Sequence, residues 1–134
     1  MAVLAVVDTH ALIWYAVQEW KKLGRQAQRA FREVEAGNGA IFVPALVLAE
    51  ISEAVHRGQV QLPGGVVRWG QRLFLSGKFF PVDFSWETVQ RAEELYAIPE
   101  RGDRLIAATA LELGHPLITR DPEIAAAAGL ELIW

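Results

Sequence analysis

The sequence predicts an α/β fold of three layers, with a central, mostly parallel sheet of about five strands between two sets of helices. Three observations carry this expectation. Short apolar runs without polar alternation mark strands buried on both faces. Segments with helical spacing separate those runs, and no two strands are joined by an Asn-Gly hairpin turn. The 134 residues suit a single domain spanning 1–134. At this length a chain buries roughly two thirds of its unfolded surface, enough for a core without staples. There is no cysteine, which excludes a disulfide scaffold and cysteine zinc sites.

Residues 2–7 form the first strand, a valine-rich run that ends at Asp8. From 9 to about 18 the spacing turns helical. A second helix over 23–36 puts Leu23, Ala27, Ala30, Phe31 and Val34 on one face, and Gly37-Asn38-Gly39 stops it. Residues 40–43 are the second strand. Pro44 suits a first helical position, the third helix runs to 57, and Gly58 closes it. Pro63-Gly64-Gly65 turns the chain into a helix over 66–76 carrying Trp69, Leu73 and Phe74. Strand three is 79–82. Ser85 caps a helix carrying Trp86, Val89, Ala92 and Tyr96, which Pro99 ends. Gly102-Asp103 opens a helix over 104–113, apolar around most of its girth and therefore central, with Gly114 as its cap. Residues 117–119 are strand four, Asp121-Pro122 starts a short helix to 128, and 130–133 are strand five.

The formal charge is −3, with ten Arg and three Lys against twelve Glu and four Asp. That balance excludes a general nucleic-acid coating protein, so any polyanion must be met by a local patch. The apolar start, 1–7, is too short and lacks the basic residues of a signal peptide. No run approaches the ~20 residues that span a bilayer. A soluble, cytoplasmic protein without membrane partners is expected.

In parallel sheets the functional crevice lies beyond the carboxyl ends of the strands, where strand order reverses. Asp8 is the first residue past strand one, Asp121 lies just past strand four, and Asp103 starts the helix before it. Asp103 and Asp121 also read as helix caps, and Asp8 stands between the two readings. Glu50 emerges among Leu46, Val47, Ile51 and Ala54, and a buried carboxylate needs a partner. That partner is either Arg104 or Arg120, or a cation shared with other acids. Glu53 is a weaker candidate for the same cluster. Four carboxylates in one pocket repel unless a divalent cation is bound. An all-oxygen donor set favours Mg²⁺ or Mn²⁺, ions suited to phosphodiester hydrolysis by activated water.

The segment from Val6 through Asp8, Thr9 and His10 to Trp14, the triplet Ala49-Glu50-Ile51, the run from Asp103-Arg104-Leu105 to Thr109-Ala110, and Thr119-Arg120-Asp121 resemble the PIN domain. They are most similar to the ribonuclease toxins of VapB/VapC-type toxin–antitoxin pairs. The match follows the chain in order, and the Asp103 run is its most specific part. The resemblance implies a parallel-sheet domain whose acidic site binds Mg²⁺ or Mn²⁺ and cuts RNA to 5′-phosphate and 3′-hydroxyl ends until a small antitoxin protein blocks it. By position, Asp8, Glu50, Asp103 and Asp121 are the catalytic and metal-holding quartet, with Asp8, Asp103 and Asp121 on the metal and Glu50 completing the shell or orienting water. Thr9 and Thr119 support them. Many relatives carry a further Asp just ahead of Asp103, where this chain has Pro99-Glu100-Arg101-Gly102, and this leaves the role of Glu100 open.

RNA contact falls to Arg25, Arg29 and Arg32 on one side of helix two, and to Arg104 and Arg120 beside the acids. The trio also reads as an ordinary solvated face, and Arg104 and Arg120 as side chains that orient carboxylates. His10, His56 and His115 organise no site. The five Trp exceed what a small core requires, leaving apolar surface for a homodimer seam or an antitoxin groove, although Trp at helical spacing also reads as core. Two rivals remain for comparison. A haloacid-dehalogenase-type phosphatase needs a second Asp where His10 stands. A catalytically silent PIN-like module binding RNA or protein has no reason to keep repelling acids.

Overall fold

The computed structural model describes residues 2–134. The described residues run in the order β1 (Val3–Val7), α1 (Thr9–Ala16), α2 (Arg25–Glu35), β2 (Gly39–Pro44), α3 (Ala45–His56), α4 (Gly65–Leu75), β3 (Phe79–Val82), α5 (Trp86–Ala92), α6 (Arg101–Leu113), β4 (Leu117–Ile118), α7 (Pro122–Ala128) and β5 (Leu132–Ile133). All five strands pair in parallel, in the order β3-β2-β1-β4-β5. The α/β expectation holds, with the sheet wholly parallel.

Ala5, Val6 and Val7 of the central strand are fully buried, which explains a run apolar on both faces. Right-handed crossovers put α1 to α4 on one face and α5 to α7 on the other; α1 packs on α3 and α3 on α4, and α6 packs on α5 and α7. Pro81 lies in β3, an edge strand, where a missing N–H leaves no central ladder bond broken. The chain steps outward from β1 to β2 and β3, then returns to lay β4 against the other side of β1. The crevice therefore opens beyond the ends of β1 and β4. Val7 pairs with Ile118, and the Asp8 N–H donates to the Ile118 carbonyl at 3.1 Å.

Several boundaries differ from the sequence expectation, each for a local reason. Helix α1 stops at Ala16; Gln18 takes a left-handed φ of 61° and a single 3-10 turn, Trp20–Lys22, precedes α2. Leu23 is buried without being helical. Helix α2 has Gly24 at its start and no side-chain cap; the N–H groups of Gln26 and Ala27 donate instead to the backbone oxygen of Trp134, at 2.7 and 3.0 Å. Pro44 ends β2 and occupies the cap position of α3 rather than its first turn. Helix α5 ends at Ala92, and Tyr96 lies beyond it, exposed, because the following turns bury Leu95 and Ile98 instead. Helix α6 begins at Arg101, capped by Glu100, so Asp103 sits within its first turn rather than opening it. Strands β4 and β5 are shorter than expected, leaving Thr119 and Leu130 outside them. Trp69 is buried, Trp14, Trp20 and Trp134 pack against the core, and Trp86 is 67% exposed. No helix among the described residues is long and apolar enough to cross a membrane.

Candidate active site

Beyond the end of β1, helices α1 and α3 and the start of α6 border a cleft of about 870 Å³, and Asp8, Thr9, Glu50, Glu53, Glu100 and Asp103 all line it. Asp8 leaves β1 in an extended conformation, and its carboxylate accepts the Ala11 N–H at 2.9 Å, capping α1. The Thr119 hydroxyl accepts the Asp121 N–H at 3.2 Å and lies near enough to the Asp8 carboxylate to lower its pKa. Glu50 projects from α3 and accepts a hydrogen bond from the Thr9 hydroxyl. Its other oxygen lies close against α6: a Cβ on Gly102 would lie 2.6 Å from Glu50 Oε2, so a larger residue there would make the Glu50 carboxylate shift. Glu100 accepts the N–H groups of Gly102 and Asp103 at 2.9 and 2.7 Å, fixing the turn that carries Asp103.

These acids feel one another. Burial pushes the Asp8 carboxyl above its ordinary range, against the pull of Thr119, the Ala11 N–H, His10 and Arg120. Burial is also the largest cause at Asp103, joined by the charge and hydrogen bond of Glu100 and the charges of Asp8 and Glu50; together they push it up to about 6. Burial works the same way on Glu100, but the N–H groups of Asp103 and Gly102, the Asp103 side chain and Arg101 outweigh it and lower its pKa. No group of three acidic or histidine side chains stands in metal-holding geometry among the described residues. The carboxylates surround the space without closing on one point.

Other sequence candidates lie outside the cleft lining. Asp121 is exposed and caps α7, accepting the Glu123 N–H at 2.9 Å ahead of Pro122. Arg104 stacks its guanidinium 4.2 Å from the Tyr96 ring and donates to the carbonyls of Ile98 and Pro99, so it fastens the loop before α6. Arg120 lies 5.1 Å over the Trp14 ring. Neither is ion-paired with Glu50; the one ion pair among the described residues joins Lys22 and Glu19. Arg25 and Arg29 face solvent on α2, and Arg32 lies 5.2 Å over Trp20. The basic residues that do line the cleft are Lys22 and Arg57. Sequence reasoning passed over these, and over His10 and Trp14 on the same lining. The only signal for the last two was their helical spacing of four, two residues past Asp8.

A doubly wound parallel sheet with carboxylates converging at its switch point defines a class of α/β domain with an acidic crevice. Residues 5–130 match the family model of the PIN domain, and the chain belongs to that family. It is similar in fold to VapBC2 from Rickettsia felis bound to a promoter DNA fragment, with a TM-score of 0.70 at 19% identity over 97% of each chain. It is also similar to FitAcB from Neisseria gonorrhoeae, TM-score 0.65 at 16% identity, covering 97% of this chain and 96% of that one. A toxin–antitoxin complex from Klebsiella pneumoniae gives a TM-score of 0.59 at 22% identity, covering 91% and 90%. No curated protein sequence matches the chain.

Proposed function

We propose that this chain is a divalent-cation-dependent endoribonuclease and the toxin member of a toxin–antitoxin pair. The observation that carries the reading is the convergence of Asp8, Glu50 and Asp103 on one cleft, with Asp103 raised to about 6 by burial and by its acidic neighbours. Repelling carboxylates kept together suit a bound cation. The donor set is all oxygen, which fits Mg²⁺ or Mn²⁺. Asp8, Glu50 and Asp103, which line the cleft without standing in metal-holding geometry, would hold it by drawing together around it, with Asp121 as an outer member of the quartet. When bound, such an ion supplies positive charge against the phosphate oxygens and makes the attacking water more acidic. Thr119 keeps the Asp8 carboxylate aimed, Thr9 does the same for Glu50, and Glu100 holds the turn of α6 that presents Asp103. The similarity to VapBC, FitAcB and Klebsiella toxin–antitoxin complexes supports a small antitoxin protein as partner.

The test is cleavage of a mixed RNA pool by the purified chain with Mg²⁺ or Mn²⁺, beside EDTA and Asp8→Asn controls. Cleavage lost in both controls is expected. An RNA pool left intact by the wild type with either cation, while RNA is still bound, would turn the reading into that of a silent binding module.

A further inference from the structure

We propose that His10, backed by Trp14, forms a stacking shelf at the rim of the acidic cleft that receives an unpaired nucleobase next to the phosphate to be cut. This rests on the ribonuclease reading above. Both side chains line the cleft that holds Asp8, Glu50 and Asp103. His10 is exposed on the first turn of α1, two residues from Asp8. Its ring centroid lies 5.7 Å from that of Trp14, at 44°. Trp14 is also in contact with the Arg120 guanidinium at 5.1 Å and the Trp134 ring at 5.9 Å. The indole is therefore held in place before any ligand arrives, which lowers the ordering cost of binding. The core does not require the outer ring, since His10 faces solvent.

Charge gives the shelf its purpose. The chain is acidic overall, so net charge does not draw RNA to it. Base stacking does not depend on net charge, and it carries a large share of single-strand binding in proteins that use aromatic platforms. Arg57, on the cleft lining, leaves positive charge there for a flanking phosphate. The occupant that fits an aromatic rim above an acidic floor is one splayed base of a single-stranded RNA, with its phosphate over the carboxylates.

The test compares KM and kcat of wild type, His10→Ala, His10→Phe and Trp14→Phe with Mn²⁺ on a single-stranded RNA oligonucleotide taken from the cleaved pool. A second oligonucleotide has one abasic position beside the cleaved bond. His10→Ala should raise KM about tenfold with little change in kcat, and His10→Phe should restore it. The abasic position should raise the wild-type KM similarly and leave that of His10→Ala unchanged, because ring and base act as a pair. His10→Ala is an exposed substitution, so its melting temperature should match the wild type. A KM for His10→Ala within about twofold of wild type, a loss confined to kcat, or equal abasic effects in both proteins overturns the shelf while the nuclease reading stands. If the wild type cuts no RNA, the nuclease reading fails and the shelf falls with it.

Discussion

Asp8 and Asp121 occupy the same local setting and reach different ends. Each follows a strand, β1 or β4, and each caps the next helix through a bond of 2.9 Å to a backbone N–H. The Thr119 hydroxyl accepts the Asp121 N–H and lowers the pKa of Asp8. Yet Asp8 lines the acidic cleft with its carboxyl pushed up by burial, whereas Asp121 is exposed outside it. The difference comes from what packs alongside: Glu50 on α3 and Asp103 on α6 share the Asp8 cleft, whereas α7, which Asp121 caps, packs on α6. Capping and site duty are thus compatible, and the strand-Asp-helix motif alone does not decide between them.

The largest effect should separate the two aspartates. Asn caps a helix about as well as Asp, so Asp8→Asn isolates the charge. Cleavage should fall at least about 100-fold, given several kcal/mol of anchored charge stabilisation, with a melting temperature no lower than wild type. Asp121→Asn should cost about tenfold, the effect of an outer partner. Equal losses in an initial-rate assay would break the contrast. Thr119→Val removes the hydroxyl that joins the pair and should also lower cleavage about tenfold, measured beside a thermal melt to separate aim from fold.

Stability should divide the pair in the other direction. Asp121→Ala should cost about 1 kcal/mol in urea unfolding through the lost cap of α7. Asp103 sharpens the picture of the buried side. Its pKa of about 6 in the fold lies above the ordinary 3.8, so the folded state binds the extra proton between those values. The cation-free protein should therefore lose stability as pH rises through about 4 to 6, then level off. Asp103→Asn should flatten that slope and gain roughly 1 kcal/mol at pH 7.5 after solvent screening. Melts of both proteins in EDTA at pH 4.5 and 7.5 read the difference; an unchanged slope would mean that Asp103 is not crowded by its neighbours.

Much of this architecture was legible in the chain because punctuation and periodicity agreed. Residues 79–82 and 122–128 match β3 and α7 at both ends, the latter bounded by Asp121-Pro122 and Gly129. Legibility failed where tertiary packing overrode spacing. Tyr96 continues the helical pattern of Val89 and Ala92, yet the chain turns there to bury Leu95 and Ile98. Asp103 looks like a cap, but the longer Glu100 reaches both N–H groups from three residues earlier. The gathering of Asp8, Glu50 and Asp103 followed from strand order and helix face, which a sequence can suggest. That Lys22 and Arg57 line the cleft in place of Arg25, Arg29 and Arg32 depends on how α2 lies against the sheet, and no local pattern encodes it.

The backbone oxygen of Trp134 that completes the first turn of α2 links two parts of the chain remote in sequence. A Cβ on Gly24 would collide with that backbone oxygen, so a larger residue there would push the junction apart. Docking of β5 and formation of the first turn of α2 therefore belong to one cooperative unit, and amide exchange at Gln26 and Ala27 reports on the edge strand beside them. Because the Trp134 indole also braces Trp14, fraying of that edge would loosen the aromatic rim of the cleft together with the helix start.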